Sequence, residues 1–205
     1  MGKTFSILGD SYSTFLGFIP DNYSPYYPNP EAVPDVLRAE DTWWHRLGEL
    51  AGMTLAVNNS YSGSTVCTQV RDEHPAWNSY VRRAETVDFG NPDYILIFGG
   101  TNDSWLYREP GVPVYEGRTE AQLAQVLPAF CHVLETLAAR YPEAKSVAII
   151  NTELDPRISQ GMLEAAAHYG AAAAALENID KVNGHPTALG MKQIARQVEA
   201  ALQTL

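Results

Sequence analysis

Tyr94-Ile95-Leu96-Ile97-Phe98 is an unbroken apolar run between two turn signals, Pro92-Asp93 before it and Gly99-Gly100 after it. Five residues are too few for a helix of ordinary length, and β-branched and aromatic side chains favour a strand. A strand with no polar alternation is covered on both faces, which is the situation of a parallel sheet wrapped by helices. Working outward, the same kind of run recurs at Thr4–Leu8, Thr54–Asn58 and Ser146–Asn151. Longer helical patterns lie between these runs. Strands alternating with helices predict an α/β fold with a parallel sheet. A fifth strand is expected around Ala174–Ile179, although that stretch is rich enough in alanine to read as helix.

The helices are signalled by their starts. Asp41-Thr42 caps one segment. Thr119 with Gln122 resembles a capping box ahead of Leu123, Val126, Leu127, Phe130, Leu134 and Leu137, with a kink or restart expected at Pro128. Ile158–Tyr169 and Thr187–Gln203 complete the set, the last placing Ile194, Val198 and Leu202 on one stripe. Two connections, Tyr12–Glu40 and Ser104–Arg118, are too long for plain loops, and their tyrosines and tryptophan argue against disorder. No repeat or linker interrupts the chain, so residues 1–205 read as one domain.

Composition narrows the function. Apolar residues make up 45% and charged residues 19% of the 205 residues, an ordinary globular balance. A net charge of −10 argues against a nucleic-acid partner and against anionic lipid surfaces, both of which need a basic face. Cys67 and Cys131 form no metal-binding pattern, and their pairing is left open. No apolar run reaches membrane-spanning length, so no membrane insertion is expected. The first residues, MGKTFSILGD, lack the pattern of a secretion signal, and the cytoplasm is the default expectation.

Four positions follow strand ends or precede the last helix. Ser11, in Gly9-Asp10-Ser11, comes directly after the first strand, where open α/β sheets bind ligands. Gly63, in Ser60-Tyr61-Ser62-Gly63-Ser64, follows the second and can offer an unobstructed N–H. Asn102, in Gly100-Thr101-Asn102-Asp103, follows the third and carries an amide donor. His185, before Pro186, is held extended just ahead of the last helix. Each alone reads more readily as a turn or a cap. The other histidines (His45, His74, His132, His168) sit in ordinary contexts.

Taken in order, these four positions resemble the SGNH hydrolase superfamily, the GDSL-type esterases and lipases, over nearly the whole chain from Gly9 to Gly190. The resemblance implies a flavodoxin-like three-layer α/β/α sandwich with a five-stranded parallel sheet. It implies Ser11 as nucleophile, His185 as general base, and an oxyanion hole built from the Ser11 N–H, Gly63 and Asn102. No metal or cofactor is implied. One position departs: the family usually has an aspartate three residues before the histidine, and Val182 stands there. Asp180 is the expected replacement acid if the segment through Gly184 turns back. A main-chain carbonyl near Val182 is the equal alternative, and Glu153 and Asp155 are weaker ones.

The expected substrate is a small oxygen ester, preferably of an acylated carbohydrate. Tyr23, Tyr26, Tyr27, Trp105 and Tyr107 lie on the two long loops, where aromatic faces suit sugar rings or else simply pack the loops down. A lipase or lysophospholipase, and a catalytically silent carbohydrate-binding module on the same fold, are the competing readings.

Overall fold

A computed structural model describes residues 2–205. Its sheet contains β1 (Thr4–Gly9), β2 (Thr54–Ser60), β3 (Tyr94–Gly99), β4 (Lys145–Ile150) and β5 (Ala172–Ala175). All pairs are parallel, in the order β2-β1-β3-β4-β5. The chain steps from β1 out to β2, then crosses to β3 on the other side of β1. That reversal is the switch point at which such sheets open a crevice beyond their strand ends. Gly9 pairs with both Ser60 and Phe98, so three strands end level and their following residues converge there.

Alternation along each strand feeds two apolar layers. Phe5, Ile7, Leu96, Phe98, Val147 and Ile149 face α1 (Trp43–Ala51) and α6 (Ala188–Leu202). Leu8, Ile95, Ile97, Ala148 and Ile150 face α2 (Tyr80–Thr86), α4 (Val126–Arg140) and α5 (Pro156–His168). A short α3 (Thr101–Trp105) caps the end of β3. The fold is therefore the flavodoxin-like three-layer sandwich. Cys67 and Cys131 are buried free thiols. Among the described residues, no helix is long and apolar enough to cross a membrane.

The alanine run is a strand. It begins two residues earlier than expected, and Ala172 and Ala174 pack inward while Ala173 and Ala175 face out. Gly170, at φ +67°, ends the preceding segment, leaving four residues to pair with β4. The Thr119–Gln122 box forms, but it closes only a 3₁₀ turn over Gln122–Ala124. The chain is extended at Gln125 and α4 restarts at Val126. Pro128 thus falls in the first turn, where its missing N–H costs no helical bond.

An unanticipated two-stranded hairpin follows β5. β6 (Lys181–Val182) pairs antiparallel with β7 (His185–Pro186) across Asn183-Gly184. Asn183 and Gly184 lie at φ +50° and +76°, the combination that a type I′ turn requires.

Candidate active site

β1 ends in a sharp turn. Asp10 is extended and caps a 3₁₀ turn over Ser11–Ser13, its Oδ1 accepting from the Tyr12 N–H at 3.0 Å. A side chain at residue 9 would meet Ser60 Oγ at 2.4 Å, so only glycine lets the turn close on β2. The turn brings Ser11 Oγ to 2.9 Å from His185 Nε2. His185 Nδ1 lies 3.3 Å from the Asn183 carbonyl. With its proton on Nδ1, donated to that carbonyl, the ring presents a lone pair at Nε2 to the serine hydroxyl. Burial pushes His185 down to about 4, and the Lys181 charge acts in the same direction. The imidazole is therefore neutral at pH 7, the form that can accept a proton.

Three candidate donors follow the ends of β1, β2 and β3. Gly63 sits at φ +79°, in a turn where Ser62 N–H bonds the Ser24 carbonyl and Ser64 N–H bonds the Tyr61 carbonyl. The N–H groups of Gly63 and Ser11 meet no acceptor among the described residues. Asn102, buried in the first turn of α3, gives one Nδ2 hydrogen to the Ser64 carbonyl at 3.0 Å and keeps the other free. The structure thus brings Ser11 and His185 together and sets Gly63 and Asn102 on the strand ends beside them.

The sequence model of the GDSL-like lipase/acylhydrolase family matches residues 3–202. The chain belongs to that family. A crystal structure of a GDSL-like lipase from Bacteroides uniformis is 41% identical, with a TM-score of 0.92, covering 100% of this chain and 97% of that one. One from Bacteroides ovatus is 35% identical, with a TM-score of 0.92 and full coverage of both chains. At 18% identity, Est24, a carbohydrate acetylesterase from Sinorhizobium meliloti, shares the fold with a TM-score of 0.64 over 98% of this chain and 99% of that one. No curated protein matches.

In this GDSL-like hydrolase Asp180 does not reach His185. The hairpin ladder sets Val182 opposite His185, and one step beyond its last pair the Thr187 N–H bonds the Asp180 carbonyl, which leaves Asp180 facing Thr187. Its exposed carboxylate accepts the Thr187 hydroxyl and its N–H bonds Gln193 Oε1. The type I′ turn restores the fold-back but aligns the wrong residue. Glu153 lies exposed on Lys181 at 3.2 Å, and Asp155 caps α5 and pairs with Arg157. Of the weighed alternatives, the main-chain carbonyl is the one in contact, contributed by Asn183.

Several supports were not read from sequence. Arg83 is fully buried and spends its guanidinium on main-chain oxygens: Asn78 at 2.8 Å, Asn59 at 2.6 Å and Gly9 at 3.1 Å, with Ser64 Oγ at 2.8 Å. It ties the ends of β1 and β2 to the turn that carries Gly63. The helical spacing Tyr80, Arg83, Ala84 was the available clue, since it places the arginine on the buried face. Asp103 receives the Val66 and Cys67 N–H groups, and burial raises its carboxyl. Asp10, fully buried, is pushed up to about 7 by desolvation, with Oδ2 unpartnered among the described residues. His74, read as ordinary, packs its ring against Gly63.

The loop aromatics divide. Tyr27 is core, its hydroxyl bonding the Pro186 carbonyl at 2.9 Å. Tyr23 clusters with Tyr61 and Trp77. Tyr26 stacks on His185, Trp105 meets it edge-on at 5.8 Å, and Tyr107 is 95% exposed. Among the described residues no group of His, Cys, Asp and Glu is arranged to hold a metal ion.

Proposed function

We propose that the chain hydrolyses small oxygen esters, preferentially acetyl groups on carbohydrates, through a Ser11–His185 dyad oriented by a main-chain carbonyl. The observation that carries this reading is the 2.9 Å contact between Ser11 Oγ and His185 Nε2. Ser11 Oγ attacks the ester carbonyl while His185 Nε2 takes its proton. The tetrahedral oxyanion is received by the N–H groups of Ser11 and Gly63 and by Asn102 Nδ2, each worth about 10²–10³ in rate. His185 then hands its proton to the leaving alkoxide, and the acyl group stays on Ser11 Oγ. Water, deprotonated by His185, attacks the acyl-serine, releasing the carboxylic acid and restoring the hydroxyl.

The carbohydrate preference rests on what lies beside the histidine. Tyr26 stacks on the imidazole, and Trp105, 42% exposed, meets it with ring centres 5.8 Å apart. Aromatic faces suit the C–H faces of sugar rings, whereas a lipid chain would call for aliphatic walls around the histidine. A carbohydrate acetylesterase is also built on this fold. The test compares p-nitrophenyl acetate, longer p-nitrophenyl acyl esters and acetylated sugars in wild type, Ser11→Ala and Trp105→Ala. Expected are loss of all hydrolysis in Ser11→Ala and a selective loss on acetylated sugars in Trp105→Ala. A preference for long acyl chains would favour the lipase reading, and an inert wild type the silent binding module.

A further inference from the structure

The loop that leaves Ser11 turns back onto its partner. The Tyr26 N–H donates to Thr14 Oγ1 at 2.8 Å, and Thr14 Oγ1 donates to the Ser11 carbonyl at 3.0 Å. The Tyr26 ring then lies face to face on His185, with ring centres 3.6 Å apart and planes 7° from parallel. His185 returns to Ser11 through its 2.9 Å contact, so Ser11, Thr14, Tyr26 and His185 form a closed circuit. Two further phenols hold the backbone on either side of the histidine: Tyr12 donates to the Gly184 carbonyl and Tyr27 to the Pro186 carbonyl.

Proton transfer from Ser11 turns this imidazole into a cation, and the groups around it do little to offset that charge. Lys181, on β6, is itself a cation and is paired with Glu153. Asp35, from the long loop, accepts the Ala188 N–H at the start of α6. Tyr12 and Tyr27 are neutral phenols held that way by burial, and Trp105 stands T-shaped to the imidazole with ring centres 5.8 Å apart. Among the described residues no carboxylate bonds either ring nitrogen, and the Asn183 carbonyl at 3.3 Å is a neutral, long-range acceptor. Among the described residues the aromatic face stacked on the ring is that of Tyr26, while Tyr12 lies tilted at 5.3 Å and Tyr27 T-shaped at 6.4 Å, and an aromatic face attracts a cation most strongly where water is excluded.

We propose that Tyr26 is the positioning residue that takes over the task of the missing acid: it fixes the imidazole plane and holds the imidazolium against its ring as Ser11 is deprotonated. The inference rests on the Ser11–His185 reading given above. The Tyr26 hydroxyl makes no hydrogen bond among the described residues, so the ring and not the phenol carries the effect. A desolvated cation–π contact corresponds to roughly ten- to thirtyfold in rate.

The experiment places phenylalanine, a series of increasingly fluorinated phenylalanines, and leucine at residue 26 of the full chain. Fluorination drains the π face with little change of shape. Readouts are kcat and KM on p-nitrophenyl acetate, the melting temperature, and the His185 titration followed by NMR. Expected is wild-type behaviour for Tyr26→Phe. Stepwise fluorination should lower kcat by about tenfold in all, with KM constant and the His185 titration moving to lower pH. Tyr26→Leu should lose kcat by about the full ten- to thirtyfold. Insensitivity of both kcat and the His185 titration to fluorination would overturn the proposal, leaving the ring as mere packing. Equal loss in Tyr26→Phe and Tyr26→Leu would overturn it in favour of the hydroxyl. Organophosphate labelling of wild type separates this failure from that of the parent reading: an adduct on Ser11 sustains the dyad whatever Tyr26 does, and none on Ser11 removes both.

Discussion

Asp180→Asn distinguishes a carboxylate-oriented histidine from one oriented by the main chain. Among the described residues the Asp180 carboxylate accepts only the Thr187 hydroxyl, at the solvent-facing start of α6. Asparagine keeps an acceptor oxygen at that place, so a charge-assisted bond becomes a neutral one. At an exposed site this change amounts to less than about 1 kcal/mol. For a domain of this size that corresponds to a melting temperature lower by about 1–3 °C. Because His185 Nδ1 faces the Asn183 carbonyl, kcat should stay within about twofold of wild type. Had Asp180 oriented the ring, an amide could have held the wrong tautomer, and kcat would fall by about 10⁴. The gap between the two outcomes makes steady-state kinetics on p-nitrophenyl acetate, with a thermal melt alongside, sufficient. A loss beyond about 100-fold with the melt nearly unchanged would refute the main-chain assignment. Gly190→Ala is the contrasting perturbation. A Cβ there would come 2.1 Å from the Asp180 carbonyl oxygen and 3.2 Å from Pro186, so the His185 hairpin must lift off α6. Both stability and kcat should drop, which would locate the sensitivity in the backbone of the hairpin and not in its carboxylate.

Burial holds His185 at about 4, so the acid limb of kcat/KM should fall near pH 4 and not near the ordinary histidine value of about 6.5. The same shift makes the fold lose stability as pH drops from about 6.5 through about 4, because the unfolded imidazole takes up its proton first; a limb at 6.5 would contradict the desolvation argument. Gly63→Ala should lower kcat by about 100-fold with little change in KM, because φ +79° and the His74 ring 2.5 Å from the new Cβ force the N–H donor to move. A change confined to KM would mean that the Gly63 turn binds substrate and does not stabilise charge.

Much of the scaffold was legible. The bracketed run at Tyr94–Phe98 and its three companions gave a parallel sheet, because a strand buried on both faces leaves no polar alternation to confuse it. The alanine strand was ambiguous, since Ala172–Ala175 owes its conformation to β4 beside it and α6 above it. The hairpin at Lys181–Pro186 carried a readable signal in Asn183-Gly184, yet two-residue strands contain too little pattern to announce themselves. Short α3 was hidden for the same reason.

Ser11, Gly63, Asn102 and His185 could be named in order from local sequence because each follows a strand end or precedes a helix, and the parallel topology then sends those ends to one edge. Which atoms finally meet is a different matter. That Nδ1 of His185 takes the Asn183 carbonyl and that Asp180 is spent on Thr187 follow from the register of a short hairpin, whereas Arg83 tying three strand-end segments together and Tyr26 covering the imidazole are contacts between residues far apart in the chain. Local propensity and spacing constrain backbone direction over a few residues. The register of a hairpin and the seating of a long loop are decided by packing, where a shift of one residue changes which side chain faces the base.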